Sequence, residues 1–198
     1  MKQILAILIG VAMSTAVYAQ FTKGTMMVGG SFGASFNTDK TKSGNTTVTN
    51  GTNNSINLFP QAGYFIMDNL AVGAGIDLSI ASSKAQVSNN KSTSTSIALA
   101  PFARYYYQKL YGQFAFNLGT GNNKFTSGST TTDNGYFTSG WSLAVGYAHL
   151  LNEHVAVEPQ IGYGSTNRKY DAVGSAPSYT NKEPGLFIRI AFQIYLKK

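Results

Sequence analysis

The chain has 198 residues, no cysteine, 12 tyrosines, 12 phenylalanines, 21 glycines and only 12% charged residues. That length is one domain's worth, and the absence of cysteine fits an exported chain that manages without disulfides. The net charge of +7 suits nucleic acid or an anionic membrane surface, so it needs a second observation to give it meaning.

The first segment, MKQILAILIGVAMSTAVYA, supplies it. Lys2 precedes an apolar stretch from Ile4 to Met13, and small residues close the segment at Val17-Tyr18-Ala19. This is the pattern of a secretory signal cleaved after Ala19. Its apolar core is too short to span a bilayer, and no stop-transfer pattern follows. The expected organisation is a signal peptide over 1–19 and one β-barrel domain over 20–198. Without Lys2 the chain keeps 14 Lys and Arg against 8 Asp and Glu, a net +6. On an exported chain that charge points to an anionic membrane rather than nucleic acid.

Beyond residue 20 the chain alternates with period two in runs of about ten residues, the length of a tilted transmembrane strand. The first run sets Met26, Val28, Phe32 and Phe36 against Gly29, Ser31, Gly33 and Ser35. The second sets Ile56, Leu58, Ala62, Tyr64 and Ile66 against Asn57, Gln61 and Gly63. The third, LAVGAGIDLSIA over 70–81, is the cleanest, with Asp77 on its polar face. Runs over 97–107 and 110–118 place Arg104 and Gln113 on that face, and a run over 141–147 alternates Trp141, Leu143, Val145 and Tyr147 with small residues. The seventh, 155–163, carries Glu158 and Gln160; the eighth sets Leu186, Ile188, Ile190, Phe192, Ile194 and Leu196 against Phe187, Arg189, Ala191, Gln193 and Tyr195. Eight runs predict eight strands.

The connections alternate as well. Met67-Asp68-Asn69, Gln108-Lys109 and the segment around Asn152-Glu153 read as tight turns, whereas 37–55, 82–95, 120–135 and 165–184 are long and rich in Ser, Thr, Asn, Gly and Lys. Short turns at one end and long polar loops at the other are the outer-membrane arrangement. With a cleaved signal, the short turns and both termini fall in the periplasm.

Alternation alone also fits a soluble barrel with apolar side chains inside. The polar face decides between them. It is mostly Gly, Ala, Ser, Asn and Gln, with four charges in all eight runs: Asp77, Arg104, Glu158 and Arg189. Four charges cannot solvate a barrel exterior but suffice for a narrow interior. All four share the inward parity, two acids against two bases, and a charge shut in a narrow lumen must be paired. They are therefore expected to form an internal network. It would be a gate or a static plug, and the plug is preferred because eight strands leave room only for side chains. Pro60, Pro101 and Pro159 fall inside strands of a ring that has no edge, so bulges are expected there. Each precedes a tyrosine by four residues (Tyr64, Tyr105, Tyr163), which suggests a recurrent interfacial girdle.

In GYFIMDNLAVGAGIDL (63–78), APFARYYYQKLYGQFAFNLG (100–119) and GLFIRIAFQIYL (185–196), the chain resembles the small outer-membrane β-barrels of Gram-negative bacteria, the OmpA-, OmpW- and OmpX-like group with its porin-family relatives. The likeness covers about residues 21–198. It implies an eight-stranded antiparallel up-and-down transmembrane β-barrel, localised to the cell outer membrane and inserted there by the outer-membrane assembly machinery. The chain departs from that group at Lys197-Lys198, where an aromatic terminus is usual.

Enzymatic chemistry has little support. His149 and His154 flank a periplasmic turn, and neither starts the His-x-Ser step of lipid A deacylase barrels. No catalytic, cofactor-binding or metal-binding residue is expected, and no cofactor. Candidate contacts with an anionic surface such as lipopolysaccharide are Lys40, Lys42, Lys84, Lys91, Lys124, Arg168, Lys169 and Lys182, against Asp39, Asp133, Asp171 and Glu183. The expected function is a non-enzymatic outer-membrane barrel that anchors basic polar loops for envelope integrity, adhesion or surface binding. The alternative is a small porin, or a conduit for small or hydrophobic molecules.

Overall fold

The computed structural model describes residues 21–43, 46–86, 90–170 and 178–197, of which 39–50 by backbone only. The expected leader and its cleavage site lie outside these residues. The described chain is an antiparallel up-and-down barrel. β1 (Met26–Ser43), β2 (Thr46–Met67), β3 (Leu70–Ala85), β4 (Lys91–Tyr107), β5 (Leu110–Ser127) and β6 (Thr130–Tyr147) each pair with the next in sequence. β8 (Val155–Tyr170) pairs with β9 (Tyr179–Leu196), and β9 returns to β1. β7 (His149–Leu150) continues β6: both lie against β8 in the same register, parted at Ala148. The ring therefore has eight staves, in agreement with the eight alternating runs.

Period-two alternation acts as expected. In β4 Ala98, Ala100, Phe102, Arg104 and Tyr106 are buried inside, while Leu99, Pro101, Ala103, Tyr105 and Tyr107 face out. The outer surface carries an apolar band in which Leu186 is 78% and Ile188 81% exposed. A water-facing exterior would not be built this way.

The tall end differs from expectation. The eight staves run 16–22 residues rather than about ten. Much of the polar sequence assigned to loops is paired hairpin instead, as in Asn54↔Phe36, Ser83↔Ser92, Asn123↔Asn134 and Lys169↔Thr180. Above the apolar band both faces of a hairpin meet water, so the hydrophobic signature of a strand vanishes while its ladder continues. Composition alone reads such a segment as loop. At the opposite end, Asp68-Asn69 and Gln108-Lys109 are two-residue connections, with Asn69 and Gln108 in the left-handed region at φ 65° and 56°.

The bulges expected at the three prolines are absent. On the β2–β3 ladder the pairs step from Leu58↔Leu78 to Gln61↔Gly75 across Pro60 with register unchanged. The β4–β5 ladder steps across Pro101 in the same way, and Pro159 faces the break between β6 and β7. Each proline thus costs a local ladder bond without inserting a residue. The register shifts present lie at Asp39/Lys40 and Phe65/Met67. Nor do the three tyrosines make one girdle. Tyr64 and Tyr105 sit at the short-turn end, but Tyr163 stands eight residues beyond Val155, roughly 26 Å along the strand at ~3.3 Å per residue. There its ring lies 6.0 Å from that of Trp141.

One seam is short. β1 pairs with β9 only over Met26–Ser31 against Leu196–Ala191, although β1 runs on to Ser43 and β9 begins at Tyr179.

Candidate functional site

The lumen holds the chain's concentrated chemistry, and it is layered. Its base, at the short-turn end, is an aromatic plug. Phe21 stacks on Tyr106 with centroids 3.9 Å apart and contacts Phe65 and Tyr195. The segment leading to β1 is fixed there by Asn69 N donating to Phe21 O (2.7 Å) and Lys23 N donating to Asp68 Oδ1 (2.8 Å). Phe21 precedes the first alternating run, so periodicity gave it no position.

Directly above lies the Arg104–Glu158 pair expected from parity, with an N–O distance of 2.7 Å and exposures of 1% and 0%. Arg104 Nε also donates to Gln113 Oε1 (2.8 Å), and Nη1 to the Tyr106 hydroxyl (2.9 Å). Tyr195 donates to Glu158, and its hydroxyl meets that of Tyr106 at 3.0 Å. The Tyr111 ring covers the guanidinium at 4.2 Å and in turn lies over Gly146, where a Cβ would fall 2.3 Å from Tyr111 Cζ. Two desolvated charges persist because each is matched by the other and by further hydrogen bonds. This layer rests directly on the plug through the hydroxyls of Tyr106 and Tyr195.

The other predicted pair behaves differently. Asp77 and Arg189 line one cavity of about 230 Å³ and are within Coulombic range of each other. Yet no ion pair within 4 Å joins them, so the expected four-residue network is one closed pair and one open pair. The Arg189 guanidinium instead lies over the rings of Phe59 (5.1 Å) and Phe187 (5.0 Å).

A third layer near the tall end was missed. Arg168 Nη1 lies 2.5 Å from Glu183 Oε1, and its guanidinium lies over the Tyr136 ring at 5.8 Å. Composition places both residues in an exterior loop; their shared inward parity with Glu158 and Arg189 is the signal for this layer. Arg168, one of the candidate surface contacts, thus has inward parity and an acidic partner. Lys84, Lys91, Lys124, Lys169 and Lys182 are exposed and share the outward parity, with Lys84 directly opposite Lys91. The side chains of Lys40 and Lys42 lie outside the described residues. Among the described residues no group of three or more His, Cys, Asp or Glu is placed to hold a metal. His154 Nδ1 is 3.1 Å from Tyr195 O, which ties the last turn to the end of β9.

No family model matches the chain, and no curated protein matches it. Solved structures that resemble it include the outer membrane protein OprG from Pseudomonas aeruginosa, 12% identical, covering 91% of this chain and 99% of that one with a TM-score of 0.47. Neisserial surface protein A is 15% identical, with 87% and 97% covered and a TM-score of 0.45. The outer membrane protein AlkL, solved in DMPC lipid bilayers, is 15% identical, with 93% and 95% covered and a TM-score of 0.46. The chain is similar to small outer-membrane β-barrels.

Proposed function

We propose that the chain is an integral outer-membrane β-barrel with its short turns in the periplasm, acting as a closed, non-enzymatic anchor that presents tall hairpins for envelope integrity, adhesion or surface binding. The observation that carries this reading is the sealed base: the Arg104–Glu158 pair above the plug of Phe21, Phe65, Tyr106 and Tyr195. An eight-stranded lumen filled in this way leaves no aqueous path through it. The test is planar-bilayer recording of the refolded chain. No stable conductance is expected, and regular single-channel steps from the unmodified protein would refute the anchor.

The exposed lysines support contact with lipopolysaccharide phosphates. Lys84 and Lys91 face each other across the β3–β4 ladder, and like charges so placed repel unless an anion lies between them. A second reading, a lateral conduit for apolar solutes, is favoured by the short β1–β9 seam, which Phe32, Phe36, Leu186 and Ile188 flank as exposed side chains. Such a route would enter at the tall end and leave through the wall, avoiding the sealed base. Cysteines at Phe32 and Ile190, the next step of that register, would lock the seam on oxidation. Loss of uptake of a fluorescent apolar tracer upon locking would support the conduit.

A further inference from the structure

The lumen charges form three levels, and only the middle one is open. Arg104–Glu158 at the base and Arg168–Glu183 near the mouth are in contact at 2.7 and 2.5 Å. Asp77 and Arg189 share a cavity of about 230 Å³ without meeting, and among the described residues neither side chain makes a hydrogen bond. A direct ion pair would be the ordinary outcome for opposite charges in a narrow lumen, so their separation needs a cause.

The cause is visible in the neighbouring glycines. Phe59 lies against Gly75, where a Cβ would fall 2.5 Å from its ring, and Phe187 lies against Gly162, where a Cβ would fall 2.4 Å away. Each ring is seated in a socket that only glycine leaves open, and the two ring centroids stand 5.1 and 5.0 Å from the Arg189 guanidinium carbon. A guanidinium held by cation–π contact keeps its N–H donors available to a further partner. Asp77 stands on β3, two residues from the glycine that seats Phe59. Asn117, Ser142 and Thr166 add neutral hydrogen-bonding groups to the wall, and Glu183, already paired with Arg168, lines it towards the mouth.

We propose that this chamber binds a small zwitterion, whose carboxylate pairs with Arg189 and whose ammonium group pairs with Asp77. A simple anion would be repelled by Asp77 and a simple cation by Arg189; one molecule carrying both charges satisfies the two at once. The chamber lies above the sealed base, so the ligand is held rather than passed through it. Binding requires only the lumen geometry; that the ligand is held rather than passed on rests on the anchor reading.

The test is NMR titration of the refolded full chain in lipid nanodiscs, following the backbone amide signals of residues 75–79 and 187–191, which every variant retains. The probes are glycine, β-alanine and 4-aminobutyrate, which carry the same two charges at increasing separation, with acetate and methylammonium as half-ligands. At least one zwitterion is expected to bind in the millimolar range, about tenfold tighter than either half-ligand. Asp77→Asn and Arg189→Gln should each weaken it about tenfold. Gly162→Ala, which keeps both charges but displaces the Phe187 ring, should also weaken it. If Arg189→Gln does not fold, as judged by heat-modifiable migration, Arg189→Lys keeps the charge, loses the fork and should weaken binding as well. Acetate binding as tightly as every zwitterion would overturn the proposal. So would undiminished binding in Asp77→Asn, or the absence of any shift with all three zwitterions.

Discussion

At the scale of single residues, Arg104 and Glu158 show how a buried charge pair constrains a fold. Each is desolvated, and each is supported by groups other than its partner: Gln113 and Tyr106 on one side, Tyr195 on the other. Glu158→Ala leaves the guanidinium buried without its counterion and should cost about 3–5 kcal/mol in urea unfolding from vesicles. The double variant Arg104→Met with Glu158→Leu removes both charges at similar volume and should recover most of that loss. A double variant as unstable as the single would mean that the tyrosine and glutamine contacts carry the energy. That both residues point inward was legible in the sequence, since parity assigns a face. That they meet was not, because parity does not assign a height; strand tilt and stagger decide which inward residues share a level. Asp77 and Arg189 share the same parity and remain apart. Arg168 and Glu183 share it and are in contact, although their surroundings read as loop.

At the scale of elements, several inward glycines are sockets for inward aromatics on neighbouring strands. Tyr111 over Gly146 and Tyr136 over Gly121 repeat what Phe59 and Phe187 do in the chamber. Gly146→Ala would place a Cβ 2.3 Å from Tyr111 Cζ, forcing the ring off Arg104, and should destabilise by about 1–3 kcal/mol. Gly112→Ala is the matched control: its Cβ would meet nothing within 4 Å, and its urea midpoint should stay close to that of the unmodified chain. The small residues of the inner face were readable as a need for space, but which ring fills which space was not. The prolines teach the converse. A missing N–H does not require an inserted residue: the ladders beside Pro60 and Pro101 step over the gap in register. Bonds on either side hold the strands, and one omitted bond costs less than a shift of every side chain beyond it.

At the scale of the whole molecule, the outer surface separates a membrane barrel from a soluble one. Ile190 lies midway along the apolar face of β9 and is 54% exposed. Ile190→Arg should reduce stability in vesicles by about 2–4 kcal/mol if that face meets hydrocarbon. Ser82→Arg, on the same outward parity of β3 beyond the apolar band, should cost at most about 1 kcal/mol. Equal, negligible effects would indicate a wall facing water. The band was legible because scarce charge and strict alternation coincide there. The height of the barrel was not, because hairpins wetted on both faces lose the contrast that marks a strand. The short β1–β9 seam also sets how the ring comes apart. Six residue pairs hold it, whereas β1 and β2 are registered almost along their full length, so the first fluctuation of the wall belongs to this junction. Backbone amides of 32–38 and 179–190 that lack a partner across it should exchange with deuterium ahead of those in β4 and β5. The ring then yields as a zipper does, from its unfastened end downward, and reaches the aromatic plug around Phe21 last.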